Sequence, residues 1–460
     1  MSLFIVGLDN TAVNVALPSI RQDLHASVSG LQWTIDAYTL VLASLLMLSG
    51  STADRLGRRR VFQIGLALFS LGSLLCSLAP GVGWLVAFRM VQAVGGSMLN
   101  PVAMSIIRQT FTDARERAAA IGVWGGVVGL SLAMGPLLGG ALTDGLSWRA
   151  IFWINIPVGL AAIVLTARFV PESRAARARR VDLVGQGLVI VGLASLTGAI
   201  IEGPKTGWGS PFIVGLFVLA AVSLVSLVAY ELRRFEPLID PRFFRSAPFS
   251  GASIIAISSF AALGGFLFLT TLYLQEVRGF SALHAGLYTL PLAGMTLIFG
   301  PVSGRLVGRI GPRPSLLLGG GGIALGSALL TGLSASTSSS LLIAAYLAFG
   351  IGFGLINPPI TNTAVSGMPA EQAGVAAAVA STSRQVGQTL GVAIAGAVAA
   401  GGLAAAAGPT FAVSSRPAWW LISGCGALAV AVGAGTTTGW ARGTARRTAA
   451  ALTPSVESST

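Results

Sequence analysis

Long apolar runs, separated by short polar segments, dominate the pattern of the chain. Most runs are about 20 residues long, the length that a helix needs to cross a hydrocarbon core of ~30 Å. The breaks between them are rich in charge, proline, glycine or serine. The pattern predicts an all-α polytopic membrane protein with fourteen spans. The spans cover residues 1–20, 31–53, 61–79, 82–107, 118–142, 150–169, 183–201, 211–230, 250–274, 283–303, 315–333, 340–362, 375–402 and 419–439.

The composition excludes a soluble domain. Only 10% of the residues are charged, 53% are hydrophobic and the mean hydropathy is +0.79, whereas soluble domains are about a quarter charged. The 60 glycines fit helices that approach one another closely in lipid. The first span begins without the basic region of a signal peptide, and the sequence leaves open whether translation starts further upstream.

The net charge of +13 is concentrated in alternate segments between the spans. With the N-terminus inside, the inside segments hold 22 arginine and lysine residues, and the outside segments hold 5. Because positive residues favour the cytoplasmic side, both termini are expected to lie in the cytoplasm, and the protein in the cytoplasmic (plasma) membrane. The lipid bilayer explains this charge, so no nucleic-acid partner is expected.

The chain contains an internal repeat. "GSTADRLGRRR" (50–60) follows the second span, and "GRLVGRIGPRP" (304–314) follows the tenth. Two glycines and two arginines of each copy match at a constant offset of 254 residues, which equals eight spans: Gly50, Arg55, Gly57 and Arg59 with Gly304, Arg309, Gly311 and Arg313. This offset predicts two six-helix halves with two inserted helices, and repeated halves are typical of secondary transporters. The predicted units are 1–169, the N-terminal half; 170–249, the inserted helices and cytoplasmic linkers; 250–440, the C-terminal half; and 441–460, a cytoplasmic tail.

The first copy of the repeat is predicted to be a gating loop. Its residues of interest are Gly50, Asp54, Arg55, Gly57, Arg58 and Arg59. Glycine allows close helix packing, and Asp54 either caps the next helix or pairs across the loop. A plain positive-inside loop would explain the arginines, but not the order G-x-x-x-D-R-x-G-R-R-R. That order resembles the signature loop of the major facilitator superfamily, which implies a latch between the halves that gates the inward–outward switch. Gly308 replaces the acid in the second copy, so only the first half carries an acid-based latch.

The fifth span carries the motif G-P-x-x-G-G, formed by Gly135, Pro136, Gly139 and Gly140. Proline removes one backbone hydrogen bond and can bend the helix, while the glycines offer a smooth face to a neighbour. Generic glycine-rich packing would explain the composition. The order, however, resembles the motif typical of exporters in the same superfamily, which implies export rather than import.

Three further stretches narrow the resemblance. "LDNTAVNVALPSI" (8–20), "WRAIFWINIPVG" (148–159) and "RQVGQTLGVAI" (384–394) resemble the fourteen-helix drug:proton antiporters of the QacA/EmrB type. The resemblance extends from the first span to the thirteenth. It implies a major facilitator fold with fourteen transmembrane helices arranged 6+2+6.

Polar residues in the first span are candidates for proton coupling and substrate binding. Asn10 and Asn14 share a helix face, with Asp9 beside them. Asp9 lies roughly 17 Å from the end of the span, where an acid costs about 2.5–3.5 kcal/mol. It should therefore face a wet cavity or a partner. The resemblance implies that Asp9 takes part in proton coupling and in recognition of cationic drugs.

Other charged and aromatic residues join this candidate site. Arg89 lies in an L-x-x-x-R-x-x-Q-x-x-G-G order, which resembles the proton-relay motif of the family and makes it the partner of an acid. Asp36, in the second span, is either a functional acid or a structural hydrogen-bonding group. Trp33 and Tyr38 either line an aromatic site for cations or anchor the helix at the interface. Arg384 lies either in the central cavity or between helices.

The sequence contains no nucleotide motif, no metal-ligand cluster and no nucleophile–base pair. We therefore expect no enzyme activity and no cofactor, with energy supplied by the proton gradient. The leading hypothesis is that a monomer exchanges protons for drugs or other amphipathic, often cationic, small molecules. The alternative is export of an endogenous metabolite, such as a self-made antibiotic, peptide or lipid. A receptor or scaffold is a third hypothesis, and the charges of Asp9, Arg89 and Arg384 within the spans count against it.

Overall fold

A computed structural model shows that the chain is helical in nearly every segment it describes. It describes residues 1–111, 113–174, 182–234, 237–366, 368–369, 372–404 and 409–452. The first part of the chain forms α1 (Ser2–Asp23), α2 (Val28–Leu56), α3 (Arg58–Ser77), α4 (Val82–Thr110), α5 (Ala114–Gly145), α6 (Ala150–Trp153) and α7 (Asn155–Phe169). Linker residues 175–181 and the last part of the predicted tail, 453–460, lie outside the described residues.

Two further groups of helices follow. The middle of the chain forms α8 (Leu183–Thr206), α9 (Pro211–Glu231) and a 3₁₀ turn (Pro241–Arg245). The last part forms α10 (Ala247–Leu272), which continues as a π-helical turn (Tyr273–Val277), α11 (Ala282–Ile310), α12 (Arg313–Ala328), α13 (Ser339–Val365), α14 (Ala373–Ala404), α15 (Pro409–Ser414), α16 (Arg416–Thr436) and α17 (Gly439–Leu452).

The spans predicted from hydropathy coincide with these helices. Within the described part of the chain, eleven helical segments are long and apolar enough to cross a membrane. The other three predicted spans lie on α5, α12 and α14, of which α12 has 16 residues. The expected all-α polytopic architecture is therefore confirmed.

The internal repeat extends to the helix ends. The side chain of Ser27 accepts a hydrogen bond at the start of α2, and that of Ser281 does so at the start of α11. The two helices end at Gly57 (φ 115°) and Gly311 (φ 87°), a left-handed conformation that favours glycine. Both helices have 29 residues, so the same start and stop signals recur 254 residues apart.

The two parts of the chain meet along two helix pairs. α2 packs on α14, and α5 packs on α11. In the internal repeat, α11 corresponds to α2, and α14 corresponds to α5. The α2–α14 and α5–α11 pairs are therefore related by pseudo-symmetry. α8 packs on both α2 and α14, and α9 packs on α8 with most of its surface exposed. The α8–α9 hairpin therefore covers one of the two pairs.

The predicted tail is partly structured. α17 buries Ala441, Ala445, Thr448 and Leu452, which lie on one helix face, and it packs on α10. The backbone N–H of Ala247 donates to the Thr444 hydroxyl at 2.9 Å, which fixes α17 at the start of α10. Residues 441–452 of the predicted cytoplasmic tail are therefore helical and packed on the last part of the chain.

Candidate functional site

Asp9 and Arg89 form a buried ion pair in the first half of the chain. Both side chains are fully buried, and Nη1 of Arg89 contacts Oδ2 of Asp9. The same nitrogen donates to Oε1 of Gln92 at 2.7 Å. Arg89 also donates from Nε to the Thr34 carbonyl at 3.1 Å, which connects α4 to α2. Arg89, which was predicted to be the partner of an acid, is thus paired with Asp9.

Polar side chains from three helices form a hydrogen-bond network around this pair, while Nη2 of Arg89 has no hydrogen-bond partner among the described residues. Oδ1 of Asp9 accepts from Nε2 of Gln92 at 2.8 Å and from Nδ2 of Asn155 at 2.9 Å. Both amides also donate to the Ser73 hydroxyl, at 2.7 and 3.1 Å. The sequence analysis did not single out Gln92, Asn155 or Ser73, although Gln92 and Asn155 are the amide positions of the two quoted motifs. In each hydrogen bond between Asp9 and the described residues, the carboxylate is the acceptor.

The two aromatic candidates lie apart. The Arg89 guanidinium lies 4.2 Å from the ring centroid of the buried Tyr38. Trp33 instead donates from Nε1 to the Glu202 carboxylate of α8 at 2.9 Å. These residues therefore do not form a shared aromatic site. Tyr38 stacks on the protein's own cation, and Trp33 connects α2 to the inserted hairpin.

Among the described residues, neither asparagine of α1 forms a hydrogen bond with the ion pair. The Asn14 amide donates to the Asn10 carbonyl at 2.9 Å, within the same helix. The side-chain oxygens of both asparagines are buried and have no hydrogen-bond partner among the described residues. Asp9 faces the interior of the first half, whereas Asn10 and Asn14 follow at helical angles of about 100° and 140° from it. The expected group of three is thus divided between two faces.

Asp36 lies where the two halves meet. Gln32 of α2 donates to the Ala393 carbonyl of α14 at 2.8 Å, and the Thr39 and Thr389 hydroxyls are 2.8 Å apart. Asp36 lies between these contacts on α2, is fully buried, and neither of its carboxylate oxygens has a hydrogen-bond partner among the described residues. A structural hydrogen-bonding role is therefore not supported in this conformation.

Arg384 is in the second half, far along the chain from the Asp9 network. Its Nη2 donates to the Thr361 hydroxyl of α13 at 2.5 Å, and its guanidinium lies 5.9 Å from the Phe260 ring centroid of α10. Arg384 therefore lies between α10, α13 and α14, and part of its surface remains accessible.

The predicted gating loop is held by a residue that the sequence analysis missed. The backbone N–H groups of Arg59 and Arg60, at the start of α3, donate to the Glu172 carboxylate at 3.1 and 3.2 Å. Arg59 also donates to the Val170 carbonyl at 3.3 Å. A side chain at Gly57 would collide with the same carboxylate. Glu172, in the segment after α7, therefore caps α3. Its negative charge is favourable at the N-terminus of a helix.

Asp54 does not cap α3. It accepts two hydrogen bonds from Arg58, at 2.8 and 3.1 Å, one helical turn away. These bonds, and those that hold Arg59, all stay within the first half, so none of them is a latch to the second half. A Cβ added at Gly50 would lie 4.0 Å from its nearest neighbour, Cβ of Pro101, so close packing does not require glycine there. Arg55 is exposed.

The G-P-x-x-G-G motif of α5 lies between α1 and α11. A Cβ at Gly135 would lie 1.8 Å from the Thr11 hydroxyl, and one at Gly139 would lie 2.8 Å from Cα of Ala12. A Cβ at Gly140 would lie 2.6 Å from the Ala282 carbonyl of α11. Pro136 also contacts α11, since its carbonyl is 2.4 Å from an added Cβ at Gly286. The predicted close packing is thus present, and it joins the two halves.

Polar contacts join the halves at the end of the bundle where α1 ends. Arg21 pairs with Glu276 at 2.8 Å. Asp144, at the end of α5, accepts from the backbone N–H groups of Ala282 and Leu283 at 3.0 and 2.8 Å. It therefore caps α11 from the other half, and both contacts connect the two halves at this end.

Comparisons with known proteins agree with this architecture. The model of the Major Facilitator Superfamily matches residues 1–392. "Multidrug resistance protein Stp" of Mycobacterium tuberculosis (strain CDC 1551 / Oshkosh) is 39% identical over 409 residues, covering 89% of this chain and 76% of that protein. "Tetracenomycin C resistance and export protein" of Streptomyces glaucescens is 37% identical, covering 86% and 74%. "Puromycin resistance protein pur8" of Streptomyces alboniger is 39% identical, covering 87% and 80%.

Solved structures show a similar fold. A bacterial homolog of the human lysosomal transporter Spinster, in an inward-facing and unoccupied conformation, superposes with a TM-score of 0.63 at 18% identity. The alignment covers 99% of this chain and 97% of that one. At this identity the similarity concerns the fold alone.

Proposed function

The chain belongs to the Major Facilitator Superfamily, and from that premise we propose that it exports drugs or other amphipathic, often cationic, small molecules in exchange for protons. It is a multi-pass membrane transporter that handles small molecules, and curated relatives at 37–39% identity are named for drug resistance and export. Export proceeds by alternating access across the cytoplasmic membrane, and a monomer is sufficient.

The proposal places the chain in the fourteen-helix QacA/EmrB branch. A helix lies at each of the fourteen apolar runs, and the charge bias of 22 to 5 favours cytoplasmic termini. Residues 1–169 and 250–440 form the two six-helix halves, and 170–249 contribute the inserted α8–α9 hairpin. The end where α1 ends then faces outward, and its contacts between the halves support an inward-facing conformation.

The buried Asp9–Arg89 pair is the observation that carries proton coupling. A proton added at Oδ2 of Asp9 would remove the charge that Arg89 pairs with. Arg89 would then remain buried without a counter-ion, which costs about 3–5 kcal/mol. Movement of α1 relative to α4 relieves that cost, so protonation and conformation become linked. Because Asp9 is enclosed here, a cationic substrate reaches it only in another conformation.

Asp36 and the gating loop are proposed to support this cycle. At the interface between α2 and α14, Asp36 has no hydrogen-bond partner among the described residues, so its charge state affects how closely the halves pack. The Glu172 cap and the Asp54–Arg58 pair hold the loop rigidly on the first half. In the outward-facing conformation, the same charged loop is proposed to contact the second half as a latch.

Export of a self-made metabolite is the second candidate. It is favoured by the relative named "Tetracenomycin C resistance and export protein". Both candidates use the same transport cycle and differ only in the source of the substrate.

The test is transport by purified protein in proteoliposomes with an imposed pH gradient. Asp9→Asn should abolish proton-driven export of the cationic dye ethidium, because the variant cannot exchange the proton. Glu116→Gln removes an exposed carboxylate on α5 and should export like the wild type. Wild-type rates in Asp9→Asn would refute the proposal.

A further inference from the structure

Arg384 carries a charge for which the described residues of the second half offer no counter-ion. It lies 11 residues after the start of α14, about 16 Å along the helix axis. Thr361 and Ser381 hydroxyls accept from its guanidinium at 2.5 and 3.5 Å. Its Nε has no hydrogen-bond partner among the described residues, and none of their ion pairs includes Arg384.

The sequence of the second half explains why. Residues 250–440 contain only two acids, Glu276 and Glu371. Glu276 is paired with Arg21 at the far end of the bundle. Glu371 precedes α14 and lies outside the described residues. The helices around Arg384 therefore supply hydroxyls and an aromatic ring, but no carboxylate, in contrast to the complete pair at Arg89.

Arg384 and the two side chains it contacts from other helices are not fully buried. Arg384, Thr361 and Phe260 come from three different helices, yet each keeps part of its surface accessible. α14 also packs on α2 of the first half, so these residues lie near the interface between the halves. A charged side chain inside a membrane protein faces a partner or a wet cavity, because isolation in hydrocarbon is costly.

We propose that Arg384 binds the anionic group of the transported substrate, a carboxylate or similar oxyanion on an apolar, planar body. The planar fork of a guanidinium suits bidentate binding of such a group, and Phe260 is placed to pack against the attached ring. This inference rests on the proposed export function and narrows its substrates to zwitterionic and anionic amphiphiles. Cations without an acidic group bind more weakly.

The test uses two rhodamine dyes that differ only in a free carboxyl group and its methyl ester. Their binding to the full-length protein in lipid nanodiscs is measured by fluorescence anisotropy. Arg384→Gln should weaken binding of the free acid by about 10- to 100-fold, as expected for a lost charge-assisted hydrogen bond. Binding of the ester should change by less than about twofold. Arg384→Lys should be intermediate, and Arg446→Gln, at an exposed arginine of α17, should behave like the wild type.

The wild-type protein provides a test that does not depend on folding of a variant, since it must bind the free acid more tightly than the ester. Equal or weaker binding of the acid would overturn the inference, as would an equal loss of both dyes in Arg384→Gln. Export of the ester alone, driven by protons, would overturn it and leave the proposed function intact. Arg384-dependent binding of the acid, with no proton-driven flux of either dye, would support the site and refute the proposed function.

Discussion

At the residue scale, the free energy of the Asp9–Arg89 pair depends on both partners. Each side chain is fully enclosed, so removal of one leaves a buried charge uncompensated. That loss costs about 3–5 kcal/mol, whereas replacement of both charges is often nearly neutral. Stability and proton coupling therefore respond differently to single and double substitutions at this site.

A double-mutant cycle separates the two effects. Asp9→Asn should lower the thermal stability of the detergent-solubilised protein, because Arg89 remains charged and buried. The double variant Asp9→Asn/Arg89→Gln should recover most of that loss, yet both should fail in proton-driven export. Thermal unfolding of wild type, both single variants and the double variant measures the coupling energy. If the double variant is no more stable than the single variants, the charges do not stabilise each other.

The sequence allowed prediction of the charged members of this site but not of the uncharged ones. Asp9 and Arg89 are conspicuous because charge is rare within a membrane span. Gln92, Asn155 and Ser73 are ordinary polar residues whose roles depend on where four helices cross. Gln92 and Asn155 stand at the amide positions of two quoted motifs, whereas no local signal distinguishes Ser73 from the other serines of the chain.

At the element scale, α5 packs closely against α1 of its own half and α11 of the other half. Its glycines bring the backbone against Ala12 of α1 and Ala282 of α11. The added Cβ at Gly139 meets backbone atoms, which cannot move aside as a flexible side chain can. Gly126 lies on the same helix, and a Cβ there would meet nothing within 4 Å.

A matched pair of alanine substitutions tests this packing. Gly139→Ala should displace α1 from α5, lower thermal stability and reduce export, because overpacking costs about 1–3 kcal/mol. Gly126→Ala should be tolerated. Both variants are compared by thermal unfolding in detergent and by dye export in proteoliposomes. Equal behaviour of the two variants would contradict the close approach seen at Gly139.

The elements themselves were largely predictable from hydropathy, since membrane helices must be long and apolar. The serines that begin α2 and α11 and the glycines that end them reinforce the prediction locally. Two features depended on tertiary contacts and were not predictable. One is the docking of α17 on α10, and the other is the capping of α3 by Glu172, which lies 113 residues from the N–H group of Arg59.

At the scale of the whole molecule, polar contacts join the two halves at the end of the interface where α1 ends. Asp144 and the Arg21–Glu276 pair connect the two halves there. Asp23 at the same end is bonded to Arg149 and Trp148, and all three belong to the first half. Asp144, which joins the halves, can therefore be compared directly with Asp23, which does not.

Removing the contacts between the halves should shift the conformational equilibrium. Asp144→Asn/Glu276→Gln loses about 1–2 kcal/mol of cap and ion-pair energy, so the open population at this end should rise about 5- to 30-fold. Spin-label distances across this end measure that population. Asp23→Asn should leave the distances unchanged. An unaltered distance distribution in the double variant would show that these contacts do not bias the switch.

The charge of the substrate should decide whether membrane voltage drives export. Exchange of one proton for a zwitterionic substrate moves one net charge, worth about 2.3 kcal/mol per 100 mV. Exchange of one proton for one monovalent cation moves none. The free-acid rhodamine should therefore respond to a potassium–valinomycin potential at matched pH, whereas the ester should respond to the pH gradient alone. Asp9→Asn provides the control, since it should respond to neither. If potential never drives the acid dye, and a pH gradient drives neither dye, the protein does not couple export to one proton.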